Sequence, residues 1–336
     1  MKMKKLMAMA MTMVMAAAAL TGCGGGGNSD TAERDGADKD IPVIGISQFG
    51  QHASLDNCRI GFLEGLEESG LEEGKDYIID YQNAGFDPNV AQQIAQSFSA
   101  KNVSLMCGIA TISATACYAA AEDKDIPVIF NAITDPVEAK LDSGNVTGIS
   151  DKLPIEEQLK LMRKVQPEAK TIGILYTTSE PNSVAAIQEY EEKGPSYGFK
   201  VETIGVTQQS EVIQAAENLI AKGVDCFTNI TDNTVVGVLP SILEKTNDAG
   251  IPVYGSEIEQ VKLGCVASAG IEYVALGRKT GEMAAKILKG EAKASEMPYE
   301  TVKDSETYLN SEALASLNME VPADVAETAM DVAKEA

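Results

Sequence analysis

The sequence predicts an α/β protein of two doubly wound parallel-sheet domains joined by a three-stranded hinge. From residue 41 onward, short apolar runs alternate with amphipathic segments of helical period, which is the pattern of βαβ units. The order then repeats. The apolar run that begins at Val103 ends in Ile109-Ala110-Thr111, and the run that begins at Val224 ends in Ile230-Thr231-Asp232. Each is followed by a helical segment and then by an Ile-Pro-Val strand, at Ile126 and at Ile251. A chain of 336 residues also has room for two average domains.

In the first half, 41–47 is a continuous apolar strand of the kind buried on both faces of a parallel sheet. Ser54 caps a helix with Leu55, Phe62, Leu63 and Leu66 on one face, ending near Gly70. Strand 77–81, helix 88–100, strand 103–109, an alanine-rich helix and strand 126–131 follow, and 145–150 reads as a crossover. The second half runs helix 155–165, strand 171–176, helix 183–192, strand 199–206 and helix 211–221. Strand 224–230, helix 234–247 and strand 251–255 complete it. A short strand at 265–269 then leads to helix 272–289, which stops at Gly290. The expected lobes are 41–148 with 268–296 and 149–267 with 297–322, the hinge lying near Thr147, Ser268 and the segment before Thr307. Residues 323–336 are expected to be a polar, alanine-rich tail with little to bury.

The first residues are not part of this fold. Lys2, Lys4 and Lys5 precede a short apolar run, and Leu20-Thr-Gly-Cys23 has the form of a lipobox. This order predicts a lipoprotein signal peptide over 1–22, lipidation at Cys23 and a flexible tether over 23–40. The plainer alternative is an ordinary signal peptide with an incidental cysteine. On the lipobox reading the protein is extracytoplasmic and lipid-anchored, at a cell surface or in a periplasm.

A net charge of −23 excludes nucleic acid as a partner, because little could neutralise phosphates. Cys58, Cys107, Cys117, Cys226 and Cys265 form no metal-ligand spacing, and His52 is the one histidine. No metal or cofactor is expected. The chain has no G-x-S-x-G, no G-x-x-x-x-G-K and no G-x-G-x-x-G after a strand, so no enzyme is expected.

Ligands of open parallel sheets bind beyond the carboxyl ends of the strands. Ala110, Thr111 and Ser113 fall there, before a helix whose free N–H groups suit a carboxylate. Asp232 and Asn233 fall at the corresponding turn of the second half and bring an acid suited to an ammonium. Simple helix capping by Thr111, Ser113 and Asp232 is the competing reading. Gln48 and His52 follow the first strand, and Asn131 and Thr134 follow the fourth. His52 is a ligand contact or a solvated loop residue. Tyr176 ends a strand, where it stacks on a ligand or fills the core. Ser256 and Gly270 lie where the backbone can approach the cleft.

Several segments together resemble the substrate-binding lipoproteins of ABC transporters. They are Gln51-His-Ala-Ser-Leu-Asp56, Ala110-Thr-Ile-Ser-Ala-Thr115, Phe130-Asn-Ala-Ile-Thr-Asp-Pro136, Asn145-Val-Thr-Gly-Ile-Ser-Asp151, Ile174-Leu-Tyr-Thr-Thr-Ser-Glu-Pro-Asn-Ser183, Thr231-Asp-Asn-Thr234 and Ala269-Gly-Ile-Glu-Tyr-Val-Ala-Leu-Gly277. The subgroup they resemble is associated with tryptophan and other aromatic amino acids and has the type I periplasmic-binding fold. The resemblance covers about residues 41 to 320. It departs at Ala53, where relatives have proline after the histidine. It implies a monomeric receptor that closes on a small amino acid-like ligand, aromatic or branched-chain, and delivers it to a permease and its ATPase. It also implies that Thr111 and Ser113 hold the ligand carboxylate and that Asp232 holds its ammonium. Glu180, Asn182 and Ser183 contribute from the second domain. A signalling receptor, or a receptor for a nucleoside or sugar, is the alternative.

Overall fold

The computed structural model describes residues 41–302 and 305–334. The expected signal peptide, the tether and Cys23 lie outside the described residues. The first half runs β1 (Val43–Gln48), α1 (Ala53–Glu68), β2 (Ile78–Asn83), α2 (Pro88–Lys101), β3 (Leu105–Ile109), α3 (Thr111–Ala121), β4 (Val128–Ile133) and β5 (Val146–Ser150). The second runs α4 (Ile155–Val165), β6 (Thr171–Thr177), α5 (Pro181–Lys193), β7 (Lys200–Val206), α6 (Val212–Ala221), β8 (Cys226–Thr228), α7 (Asn233–Val236), α8 (Leu239–Asp248), β9 (Val253–Tyr254) and α9 (Ile258–Leu263). β10 (Ala267–Gly270), α10 (Tyr273–Leu288), β11 (Glu300–Thr301), β12 (Glu306–Leu309), α11 (Ser311–Ser316), α12 (Ala323–Ala326) and β13 (Met330–Asp331) complete the chain.

Two parallel sheets result. The first has the order β11-β5-β4-β3-β1-β2 and the second β7-β6-β8-β9. Both place their first strand between the second and third, so the chain winds in opposite senses on either side of it. That point is where open α/β sheets leave a crevice. Every residue of β3 and β4 is buried, because helices cover both sheet faces. β10 continues the second sheet, with Gly255 N–H donating to Ala267 O (2.9 Å) and Val266 N–H to Val253 O (2.8 Å), and β12 and β13 add to it.

The chain passes between the lobes three times. It leaves the first sheet after β5, returns after β10 into α10 against α1, and leaves again between β11 and β12. The third passage falls later than the boundary at 296 and 297 predicts, because Glu300 and Thr301 pair with Ile149 and Ser150 of the first sheet. A two-residue pairing leaves no periodicity to read. The tail is also ordered. β13 pairs with β12, and Val325 and Val332 are buried, 4% and 6% exposed. Two well-placed valines and a strand ladder suffice where composition reads as polar. The single helix expected over 234–247 is broken into α7 and α8. Pro240 has no N–H to give Val236 O, and its ring would clash with that carbonyl. The five described cysteines are free and buried.

α1 and α10 meet along a glycine seam. A Cβ at Gly61 would lie 2.0 Å from Val274 O, and one at Gly65 would lie 2.1 Å from Arg278 O. From the other side, a Cβ at Gly277 would lie 2.2 Å from Cys58 O and one at Gly281 2.2 Å from Phe62 O. The obstacles are backbone atoms, which do not move aside as a side chain would. Gly281→Ala is expected to cost about 1–3 kcal/mol through overpacking. Urea unfolding measures this, and an unchanged midpoint would show that the helices separate freely.

Candidate functional site

A lined space lies between the carboxyl ends of the two sheets. Helix starts surround it. His52, Ser54 and Leu55 come from the start of α1, Ala110 and Thr111 from α3, and Tyr273 from α10. From the other lobe come Asn182 of α5, Thr231 to Asn233 and Val236 at α7, and Glu257 and Gln260 at α9. Ala132 and Thr134, at the end of β4 and just past it, and Asp151, in the first passage between lobes, complete the wall.

Which helix starts are already satisfied decides the polarity. Asp232 caps α7, accepting from Val235 N–H at 2.8 Å, and Glu257 caps α9, accepting from Gln260 N–H at 3.0 Å. Glu180 also serves α7, accepting from the N–H groups of Asn233 and Thr234, each at 3.0 Å. α1 and α3 have no side-chain cap. The first lobe presents the uncapped starts of α1 and α3, its α10 being capped by Glu272, whereas the second presents the carboxylates of Asp232 and Glu257 beside the uncapped start of α5. Ala110 at φ 74 and Ala132 at φ 62 turn the chain sharply beside the space. Non-glycine residues there cost about 1–3 kcal/mol each, a strain that concentrates at functional sites.

Asp151, Asp232 and Glu257 line the space, and no lysine or arginine does so among the described residues. Burial pushes the Asp232 carboxyl above its ordinary range, and the charge of Glu180 adds to this. Four donors oppose the shift: Thr177 N–H, Thr177 Oγ1, Ser183 Oγ and Val235 N–H. Burial lifts Glu257 to about 7. Burial also raises Asp151, which accepts from Tyr273 OH at 2.8 Å and Thr134 Oγ1 at 3.2 Å.

His52 is held neutral, its pKa lowered to about 4 by burial. Its tautomer follows from the network. Asn233 Nδ2 donates to Glu180 Oε2 at 2.7 Å, so Asn233 Oδ1 is the acceptor facing His52 Nε2 at 3.3 Å. His52 Nε2 then carries the proton and Nδ1 is a bare acceptor. Among the described residues, buried His52 Nδ1 and Asn182 Oδ1 have no hydrogen-bond partner. Both residues line the space.

Of the residues read from sequence, the structure brings together His52, Ala110, Thr111, Thr134, Asn182, Asp232 and Asn233 at the space. Glu180 and Ser183 stand one bond behind, on Asn233 and Asp232. The others brace the scaffold. Gln48 holds Gly50 O at 2.7 Å and Asp56 at 2.9 Å. Ser113 accepts from Ser47 Oγ, and Asn131 ties β4 to Cys58 O at 3.0 Å. Ser256 accepts from Gln260 Nε2 at 2.8 Å. Gly270 permits close passage, since a Cβ there would lie 2.2 Å from Ser256 O. Tyr176 packs beside Gly205. Thr111 and Ser113 cap nothing with their side chains, while Asp232 does cap a helix.

Sequence reasoning did not select Ser54, Leu55, Ala132, Asp151, Thr231, Val236, Glu257, Gln260 and Tyr273, which also line the space. Asp151 and Tyr273 lie in segments that carry the family resemblance, and Glu257 stands just ahead of a short helix. Those were the available signals.

The lobes touch across the space. Ser54 Oγ donates to Glu257 Oε1 at 3.0 Å, and the hydroxyls of Thr134 and Thr231 lie 3.2 Å apart.

Comparison with known proteins agrees with this geometry. The family described as ABC transporter substrate binding protein matches residues 43–333. A tyrosine-binding protein of Clostridioides difficile is 38% identical over 283 residues, 82% of this chain and 81% of that one. A Streptococcus pneumonia ABC domain in complex with L-Trp superposes with a TM-score of 0.83 at 32% identity, covering 87% of this chain and 99% of that one. The ligand-free, open structure of a Clostridium difficile substrate-binding protein with adhesive properties covers the same shares. It reaches only 0.64, although it is 37% identical. The chain thus superposes better on the L-Trp complex than on the open structure.

The titrations make opposite contributions to stability. The folded state holds the Glu257 proton to about 7 against an ordinary 4.5, so it binds more protons in that window and loses stability as pH rises through it. His52, at about 4 against 6.5, costs stability as pH falls from 6.5. Ligand-free protein is therefore expected to lose melting temperature between pH 6.5 and 8. Glu257→Gln, which keeps an acceptor for the helix start, should show a smaller loss. Equal slopes in thermal scans would remove Glu257 as a source.

Proposed function

The chain belongs to the ABC transporter substrate-binding family, and from that premise we propose that it captures an aromatic amino acid between its lobes and delivers it to a permease. Substrate-binding proteins of ABC importers work outside the cytoplasm, and no helix of the described residues is long and apolar enough to cross a membrane. Lipid attachment at Cys23 is part of the proposal.

One observation carries the ligand class. Asp232 and Glu257, with Asp151 between the lobes, line the space with no cationic side chain beside them among the described residues, and the uncapped starts of α1 and α3 lie on the first lobe. Burial raises all three carboxyls, so their charged forms are costly, and a ligand with its own cation relieves that cost. A zwitterion supplies it: the ammonium meets Asp232 and the bare oxygen of Asn182, and the carboxylate meets the start of α3 beside Thr111. A neutral sugar would leave the carboxylates uncompensated. Leu55, Ala110, Ala132 and Val236 give the apolar surface for a side chain. The aromatic class rests on the tyrosine-binding and L-Trp-bound relatives.

Closure follows from differential contact. A ligand that bridges both lobes binds the closed arrangement more tightly and so populates it. The inferred cycle involves no bond-making step; the chain acts as a receptor and not as a catalyst.

The test is a thermal-shift and calorimetric screen of residues 28–336 against the amino acids, with sugars and nucleosides as controls. L-tyrosine or L-tryptophan is expected to stabilise, and Asn182→Ala to weaken binding about tenfold or more by removing a buried acceptor. A shift with sugars alone overturns the amino-acid reading.

A further inference from the structure

The loop between β2 and α2 does not line the space, yet it carries an aromatic side chain that touches both lobes. Phe86 has φ 65, a conformation a bulky residue rarely adopts. It is held there. Phe86 N–H donates to Phe49 O at 2.9 Å, Ala84 N–H to Gln48 O at 2.9 Å, and Gly85 N–H to Asn83 Oδ1 at 2.8 Å. The ring meets Phe49 edge-on, with centroids 6.1 Å apart, and lies within 4° of parallel to the His52 ring at 6.4 Å.

Glycine stands on both sides of it. A Cβ at Gly50 would fall 1.9 Å from Phe86 Cε1, so the first lobe has removed a side chain to admit the ring. Across the cleft, a Cβ at Gly237 would lie 2.6 Å from Gln209 Nε2 of its own lobe and 3.2 Å from Phe86 Cζ. Gly237 directly follows α7, the short helix of the second lobe that holds Asn233 and is capped by Asp232. One ring thus rests on His52 from its own lobe and on the end of α7 from the other.

We propose that Phe86 is the closing latch of the cleft, a positioning residue whose ring seats on Gly237 as the lobes meet and keeps His52 aligned with Asn233. The inference rests on the hinge-closing receptor reading and names a component of it. Its contact with the first lobe is present in either arrangement, whereas its contact with Gly237 exists only when the lobes are closed. The area it covers there therefore favours closure selectively. Entry of ligand precedes the contact and exit must break it, so the latch acts on dissociation rather than association.

Two variants test this. Phe86→Ala removes the ring. Gly237→Val fills its seat from the opposite lobe at a backbone conformation valine can adopt (φ −57), moving the flexible Gln209 amide of that lobe aside while leaving Phe86 and the first lobe intact. Stopped-flow binding of L-tyrosine and L-tryptophan is expected to show dissociation accelerated roughly tenfold in each variant, with association within about twofold. A merely structural role would lower the melting temperature without this split between rates. Small-angle scattering supplies a second readout, with a larger radius of gyration expected for the variants than for the parent. Unchanged dissociation and unchanged radius in both variants overturn the latch. If the parent binds neither amino acid, the ligand reading fails separately. The latch is then judged by scattering alone, a larger radius in Phe86→Ala supporting it and an equal one overturning it.

Discussion

Buried carboxyl groups with no buried lysine or arginine among the described residues are the constraint on which the rest of this structure depends. Asp151, Asp232, Glu180 and Glu257 are all at most 3% exposed. In a low-dielectric interior such groups survive only with dense hydrogen bonding or with a partner. The fold supplies the first through helix starts and hydroxyls: α7 serves Asp232 and Glu180, α9 serves Glu257, and Tyr273 with Thr134 serves Asp151. The second is left to a ligand. The strain at Ala110 and Ala132 and the unpartnered atoms of His52 and Asn182 lie around the same space, as expected where local stability yields to binding.

Two lobes of like winding form a polar pair. Both sheets wind alike, so the turn after β3 faces the turn after β8 across the crevice. One turn kept small neutral residues before an uncapped helix. The other acquired Asp232, and its helix was shortened to α7 by Pro240. The glycine seam between α1 and α10 fixes the first lobe's contribution, since both helices begin at the space, with Ser54 and Tyr273 respectively.

Strands buried on both faces leave a continuous apolar run, and their alternation with helices leaves a count. These made the two-lobe fold and the paired turns at Thr111 and Asp232 legible in advance. Short pairings leave no such trace. β11 and β13 have two residues each, and their register depends on partners far along the chain. The same holds within the site. Ser113 and Asn131 follow the right strands but are spent on Ser47 and on Cys58 O, whereas Glu257 reaches the space from the turn between a two-residue strand and a six-residue helix, both too short to leave a clear period.

The sequence by itself determined the lobes, their winding order and the chemical types at the two facing turns, because these depend on periodicity and on residues near in the chain. Only the tertiary structure decided which carboxylates are buried together, which helix starts remain uncapped and where Phe86 meets Gly237. Those outcomes depend on distances between segments up to about two hundred residues apart, and burial, not identity, sets what a carboxylate or an imidazole does there.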